Sequence, residues 1–313
     1  MRWIGTCAKV FLKSWSVMKI LGMFPGQGSQ KVGMGKNYLT RSPLADKYFD
    51  EADTALGFKL SQMIFEGPAE ELTKTAIAQP AILTVSCIAH AIHVAESNPE
   101  LCAVLGHSLG EYSALVAAGS LAFKDAVKLV HLRGKYMQEA VPVGTGRMVA
   151  VLGKELSEIE SAAQQVKGGI AQVANINAPG QIVVAGDKAG IDQFTSLLAG
   201  AKIIELQVSA PFHCALMKPA ADKLLPHLND TNFQAPKMPV IANFSATEVR
   251  SPDEIRKSLY NQVCGRVRWI ESMEYAVKNY QPEIALEYGE GNTLQGLLKR
   301  INPALNKDSA IKA

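Results

Sequence analysis

Gly106-His107-Ser108-Leu109-Gly110 is the segment of this chain best suited to covalent chemistry. It matches the G-x-S-x-G pattern, in which a serine sits on a strained strand-to-helix turn with its hydroxyl exposed. The apolar run 101–105 leads in and the helix-prone run 114–118 leads out, which is the context the pattern requires. The N–H of Leu109 faces the same space and can stabilise an oxyanion. A serine hydroxyl needs a base to become a nucleophile, and the chain has 6 histidines. The side chain of His107 is expected to point away from a tight turn at Ser108. His90 and His93 are three apart on an apolar helix and read as packing. His131 lies in a helical stretch and His227 in a polar one. His213, in Ser209-Ala210-Pro211-Phe212-His213-Cys214, follows a strand and lies in a loop at a domain junction, where catalytic groups concentrate. Position therefore favours His213. Arg133 shares a helix face with Val130, Gly134 and Met137, at offsets of three and four. An arginine there needs a partner: an internal salt bridge, or a substrate carboxylate gripped by the guanidinium. The residues alone leave both open. No aspartate marks itself as a triad acid, so the base must be oriented by something else, such as a backbone carbonyl.

The elements that position these residues follow from the hydropathy pattern. The first strand, 19–24, runs into the Gly-rich turn Pro25-Gly26-Gln27-Gly28-Ser29-Gln30, whose N–H groups can face an anion. Further strands are expected at 101–105, 240–244 and 284–288. Short apolar strands alternating with helices imply a mostly parallel sheet covered on both faces. Between them the order changes: strand 147–152, helix 155–167, strands 171–176 and 181–185, helix 187–198 with Asp187 as N-cap, and strand 202–208. That βαββαβ order is the split arrangement of a ferredoxin-like unit. The expected fold class is therefore α/β. A large domain of residues 18–143 and 210–313 carries an inserted small domain of residues 144–209.

Composition bounds the function. The 313 residues are 48% apolar and 19% charged, which argues for about two globular domains and against disorder. A net charge of +3 is too small for a dedicated nucleic-acid binder. Arg266 and Arg268 beside Trp269 are a weak footprint, read as a solvated edge. The 5 cysteines form no CxxC pair, which argues against a disulfide framework or zinc site and fits a reducing cytoplasm. The long apolar stretch 76–95 contains Gln79, Pro80, His90 and His93. It reads as a core helix starting after Gln79-Pro80, not a membrane span. Phosphate-binding GxxxxGK[ST] and dinucleotide GxGxxG motifs are absent. Residues 1–17 carry Arg2, Lys9 and Lys13 and no acid. They read as a loose extension before a working start at Met18, in preference to a transit peptide.

Taken in order, the motifs resemble the malonyl-CoA:acyl carrier protein transacylase family of bacterial-type fatty acid synthesis, from about Met18 to Ile301. They are Phe24-Pro25-Gly26-Gln27-Gly28-Ser29-Gln30, Gln79-Pro80-Ala81, Gly106 to Tyr112, Leu132-Arg133-Gly134, Asn175 to Gln181, and Pro211-Phe212-His213. The resemblance implies a hydrolase-like large domain and a ping-pong transfer. Ser108 would take the malonyl group from coenzyme A as an ester, and the phosphopantetheine thiol of holo acyl carrier protein would then remove it. His213 would be general base and then general acid. The N–H groups of Gln27 and Leu109 would form the oxyanion hole. Arg133 would hold the malonyl carboxylate, the carbonyl of Gln262 would orient His213, and Phe212 would favour malonyl over branched extenders. No cofactor or metal is expected beyond the two substrates; a cytoplasmic monomer is expected. Two positions depart from the family pattern: Arg266 and Glu290 stand where proline is common. A serine hydrolase would use the same Ser108 and His213 but would carry an acid between them in the chain. Several acids lie there, including Asp125 and Asp187, and none has a motif that marks it. A non-catalytic carrier-binding subunit would have no need of Ser108, His213 and Arg133 together.

Overall fold

The computed structural model describes residues 18–142, 144–198 and 200–311; the extension assigned to 1–17 lies outside them. The strands, in chain order, are β1 (Ile20–Phe24), β2 (Leu101–Gly106), β3 (Gly146–Leu152), β4 (Ala171–Ala178), β5 (Gln181–Asp187), β6 (Lys202–Glu205), β7 (Val240–Ile241), β8 (Glu248–Val249), β9 (Ile284–Glu287) and β10 (Asn306–Ser309). They make two sheets. The larger runs β10-β9-β1-β2-β7-β8 and is parallel except for the β7–β8 pair. β1 is buried along its whole length. Its alternate residues feed two cores. Ile20 and Phe24 pack with the helices Thr75–Ser97 and Phe123–Glu139, while Leu21 and Met23 pack with Trp269, Met273 and Leu294. A central parallel strand covered on both faces has no polar side to show, which is why it reads as a continuous apolar run.

Register then places the chemistry. Phe24 pairs with Gly106, so the Gln27 turn and the Ser108 turn leave neighbouring strands at the same carboxyl edge, where parallel sheets form their ligand crevices.

The smaller sheet, residues 146–205, is antiparallel in the order β4-β5-β3-β6. With its helices Leu156–Gln164 and Lys188–Leu197 it has the βαββαβ arrangement. Asp187 caps the second helix by accepting from the N–H of Gly190. A core of Val149, Val151, Ile159, Ile191 and Phe194 holds it together.

Several expected elements differ. The core helix starts at Thr75, not after Gln79-Pro80. Pro80 lacks the N–H that would bond to the carbonyl of Ala76. That carbonyl is taken by His131 Nδ1–H at 2.8 Å instead, so the helix runs through the proline. Although long and apolar enough to cross a membrane, this helix packs inside the protein. The strand expected at 240–244 is two residues long. The chain turns back to pair with β8, the N–H of Ala242 reaching the carbonyl of Thr247. Strand β6 stops at Glu205 rather than 208, because the N–H of Val208 bonds back to Leu206. Edge strands β8 and β10, one very short and one polar, carry no hydropathy signal.

Candidate active site

Two glycines allow the serine turn to close. A Cβ on Gly106 would sit 1.9 Å from the carbonyl of Gly110, and one on Gly110 would sit 2.1 Å from the Phe24 oxygen. Backbone meets backbone at both, so no side chain fits. Ser108 is held at φ 52 and His213 at φ 60, both in the left-handed region that non-glycine residues rarely enter. Strain of this kind persists only where the surroundings enforce it. Here Asn243 does so. Its Oδ1 accepts the Ser108 N–H at 2.6 Å while its Nδ2 donates to the Gly106 carbonyl at 2.8 Å.

Ser108 Oγ lies 2.7 Å from His213 Nε2, and His213 Nδ1 lies 2.8 Å from the carbonyl of Gln262. A carbonyl only accepts, so Nδ1 carries the proton and Nε2 is free to accept the serine proton. Burial, and then the charge of Arg133, push His213 down to about 3, which keeps the imidazole neutral. The segment after Gln262 is pinned to the small sheet. Val267 exchanges backbone bonds with Ala174 and Ile176, and Arg266 pairs with Glu160 at 2.7 Å. With arginine at the proline position, the Gln262 carbonyl still meets His213. Glu290, the other departure, pairs with Lys31 beside the Gln27 turn.

Arg133 is 1% exposed. Its guanidinium donates to Gln79 Oε1 at 2.8 Å, Gln262 Oε1 at 2.9 Å and Ser108 Oγ at 3.0 Å, and its carbon lies 5.7 Å from the centre of the Tyr112 ring. Among the described residues no carboxylate comes within ion-pair distance of it. The internal salt bridge is therefore not what the structure contains: a buried cation is held at Ser108 by neutral oxygens.

A cleft of about 230 Å³ opens over these groups. Gln27, Ser108, Leu109, Arg133, Phe212 and His213 all line it, so every candidate except Gln262 reaches its wall. Neither Gln27 nor Leu109 gives its backbone N–H to an acceptor among the described residues. The Gln27 side chain donates to Thr75 Oγ1 at 3.3 Å, which in turn lies 2.8 Å from Ser209 Oγ, between β6 and His213. His107 turns to the small sheet, its Nε2 2.8 Å from Asn177 Oδ1 and its ring 5.3 Å from that of Trp269.

Three buried groups of the site have no role assigned from sequence: Gln79 and Glu111, which lie inside quoted motifs, and Asn243, which lies in none. Each was visible as a polar residue in an apolar run, namely the core helix, the end of β7 and the helix after Ser108. Burial pushes Glu111 up to about 7, while the donors from Asn243, Gln262 and Ser258 pull the other way.

A strained serine on an elbow, a neutral histidine on its hydroxyl and free N–H groups beside it define a serine-nucleophile site of the acyl-transfer class. The family model for the acyl transferase domain matches residues 23–288. Malonyl CoA-acyl carrier protein transacylase of Bacillus subtilis (strain 168) is 45% identical over 293 residues, 92% of each chain. The structure of the transacylase of the same name from Coxiella burnetii superposes with a TM-score of 0.90 at 38% identity, covering 93% of both chains. A malonyl-transacylase solved in complex with its type II PKS acyl-carrier protein gives 0.90 at 42%, covering 93% of this chain and 95% of that one. The chain belongs to the acyl transferase family, among the malonyl CoA-acyl carrier protein transacylases.

The buried histidines set an acid limit on stability. His90 is pushed down to about 4 by burial and then by His93, and His213 to about 3. Burial lowers His93 and His107 in the same direction. Between about pH 4 and the ordinary value of 6.5 the unfolded chain binds protons that the folded chain refuses. The contribution of these histidines is thus complete above 6.5 and falls as pH drops through this window. Glu111 and Glu287, raised by burial, act in the opposite sense and are fewer. Melting temperatures taken from pH 6.5 down to 4 are expected to decline steadily; a flat profile would contradict the neutral buried imidazoles.

Proposed function

We propose that this protein transfers the malonyl group of malonyl-CoA to the phosphopantetheine thiol of acyl carrier protein, through a malonyl ester of Ser108. The carrying observation is Arg133, a buried guanidinium with only neutral partners, 3.0 Å from the nucleophile. A substrate carboxylate supplies the counter-charge it lacks, and guanidinium binds carboxylates in two-pronged fashion. A neutral acyl group leaves that charge unpaired.

In the first half-reaction His213 Nε2 takes the Ser108 proton as Oγ attacks the thioester carbon. The oxyanion is received by the N–H groups of Gln27 and Leu109. The C–S bond breaks, His213 returns the proton to sulfur, and coenzyme A leaves as the thiol. In the second, the carrier thiol gives its proton to His213 and attacks the ester, and Ser108 leaves with that proton. Nδ1–H stays on the Gln262 carbonyl throughout, so that a carbonyl rather than a carboxylate orients the base. Phe212, 7% exposed in the cleft wall, narrows the acyl site against branching. A single methyl group is discriminated only about 10- to 200-fold in such a pocket. Both substrates are thioesters or thiols that bring their own reactive group, so we infer no cofactor. The family and the four unbridged cysteines of the described residues are compatible with a cytoplasmic monomer.

Transferase and hydrolase differ in the second nucleophile. Malonylated protein, freed of coenzyme A, is expected to lose its acyl group rapidly to holo carrier protein and slowly to water. Rapid loss in buffer alone, with free malonate accumulating, would assign a hydrolase instead.

A further inference from the structure

The mechanism above employs no carboxylate, yet one is buried behind its centre. Glu111 is 1% exposed, lies in the first turn of the helix that follows Ser108, and is not part of the cleft wall. Its Oε2 accepts two hydrogen bonds, from the backbone N–H of Asn243 and from Gln262 Nε2, each at 2.8 Å. Its Oε1 accepts a longer one from Ser258 Oγ at 3.4 Å.

Each of the two short bonds leads to a reacting group. Asn243, held by its main chain on Glu111, uses its side chain to clamp the strained Ser108 between its own Oδ1 and the Gly106 carbonyl. Gln262 leads to the other two groups. Its main-chain carbonyl receives His213 Nδ1–H, and its side-chain Oε1 receives Arg133. The orientation of that side chain is set by Glu111 together with the Ser108 carbonyl. A carboxylate only accepts, so it draws the NH2 end of the amide toward itself and turns the oxygen toward the guanidinium. The reversed amide would face Arg133 with donors against donors. The same NH2 also reaches the carbonyl of Ser108 at 2.9 Å, which ties the relay to the nucleophile's own backbone.

We propose that Glu111 is the positioning residue of this site. Acting through Gln262 and Asn243, its carboxylate fixes Arg133, His213 and Ser108 in their reacting geometry. It stands one amide behind the place where a triad acid would contact the base. Its substrate dependence rests on the malonyl-transfer reading above. Glu111 reaches Arg133 only through Gln262, so the ion-pairing position of the guanidinium stays open to substrate.

Glu111→Leu removes both acceptors with little change of volume. Glu111→Gln can keep an oxygen at the Oε2 position and offer its NH2 to Ser258 Oγ. The readouts are kcat/KM for malonyl-CoA and for acetyl-CoA, and their ratio, alongside the melting temperature. Misplacing a binding group by an ångström costs about 100-fold; Glu111→Leu is expected to lower both transfers through Ser108 and His213, and malonyl transfer further by about that order through Arg133, so that the malonyl-to-acetyl ratio falls. Glu111→Gln is expected to return the ratio close to wild type. A purely structural carboxylate would lower both substrates by one factor, in step with lost folded protein, and an unchanged ratio in Glu111→Leu overturns the proposal. Should that variant not fold, Gln262→Leu cuts the relay one link further on while leaving the carbonyl on His213. It is expected to lower the ratio in the same way, and an unchanged ratio there overturns the proposal equally. A wild type that never forms malonyl-Ser108 overturns the malonyl reading and this inference together. One that forms it, with ratios unmoved in the variants, overturns this inference alone.

Discussion

His213→Ala is expected to slow malonyl transfer by about 10⁴-fold, the upper range for loss of a positioned general acid–base. Three observations support an effect of that size. Nε2 is 2.7 Å from Ser108 Oγ, its partner nitrogen is held by the Gln262 carbonyl, and burial keeps the ring neutral. In the proposed transfer both half-reactions route a proton through the same nitrogen, so neither escapes the loss. Groups that act as a unit are not additive. Adding Ser108→Ala to His213→Ala should therefore cost little beyond either alone. Rapid-quench measurement of acyl-protein formation checks this. A loss below about tenfold would mean that another base serves Ser108. His107 is the nearest in sequence, and its Nε2 is engaged with Asn177.

Arg133→Ala is the second large effect. A charge-assisted hydrogen bond to a buried partner contributes about 1.5 to 3 kcal/mol, which is about 10- to 150-fold in malonyl kcat/KM. Acetyl transfer, which offers no carboxylate, should fall far less. The variant also leaves the oxygens of Gln79 and Gln262 without their donor. Its folding is checked by thermal melting before rates are compared. Equal losses for malonyl-CoA and acetyl-CoA would remove the carboxylate clamp from the account.

Much of this site stood in the sequence because its geometry is local. A serine elbow is five consecutive residues, and glycines 106 and 110 are required there by backbone contacts of 1.9 and 2.1 Å. The Arg133 helix face and the His213 loop likewise follow from short spacings. What was not legible is long-range. Asn243 reaches Ser108 only because β7 ends after two residues and the chain folds back on β8. No local pattern announces a strand that short. Gln79 lies on a helix expected to begin after it, and the extra turn exists because His131, far along the chain, takes the carbonyl that Pro80 leaves free. Glu111 was on view as one carboxylate in an apolar helix. Its meaning depends on Gln262, 151 residues away. The fold shows the same division. Central strands such as β1 are legible from hydropathy, whereas polar β10 is a strand only because β9 offers it an open parallel edge.

The most direct test is the intact mass of the purified protein after mixing with malonyl-CoA, with Ser108→Ala alongside. The structure predicts one malonyl adduct on the wild type, none on Ser108→Ala, and removal of the adduct by holo carrier protein. An adduct that persists on Ser108→Ala, or a wild type that turns over malonyl-CoA without ever carrying the acyl group, would contradict a malonyl-serine intermediate.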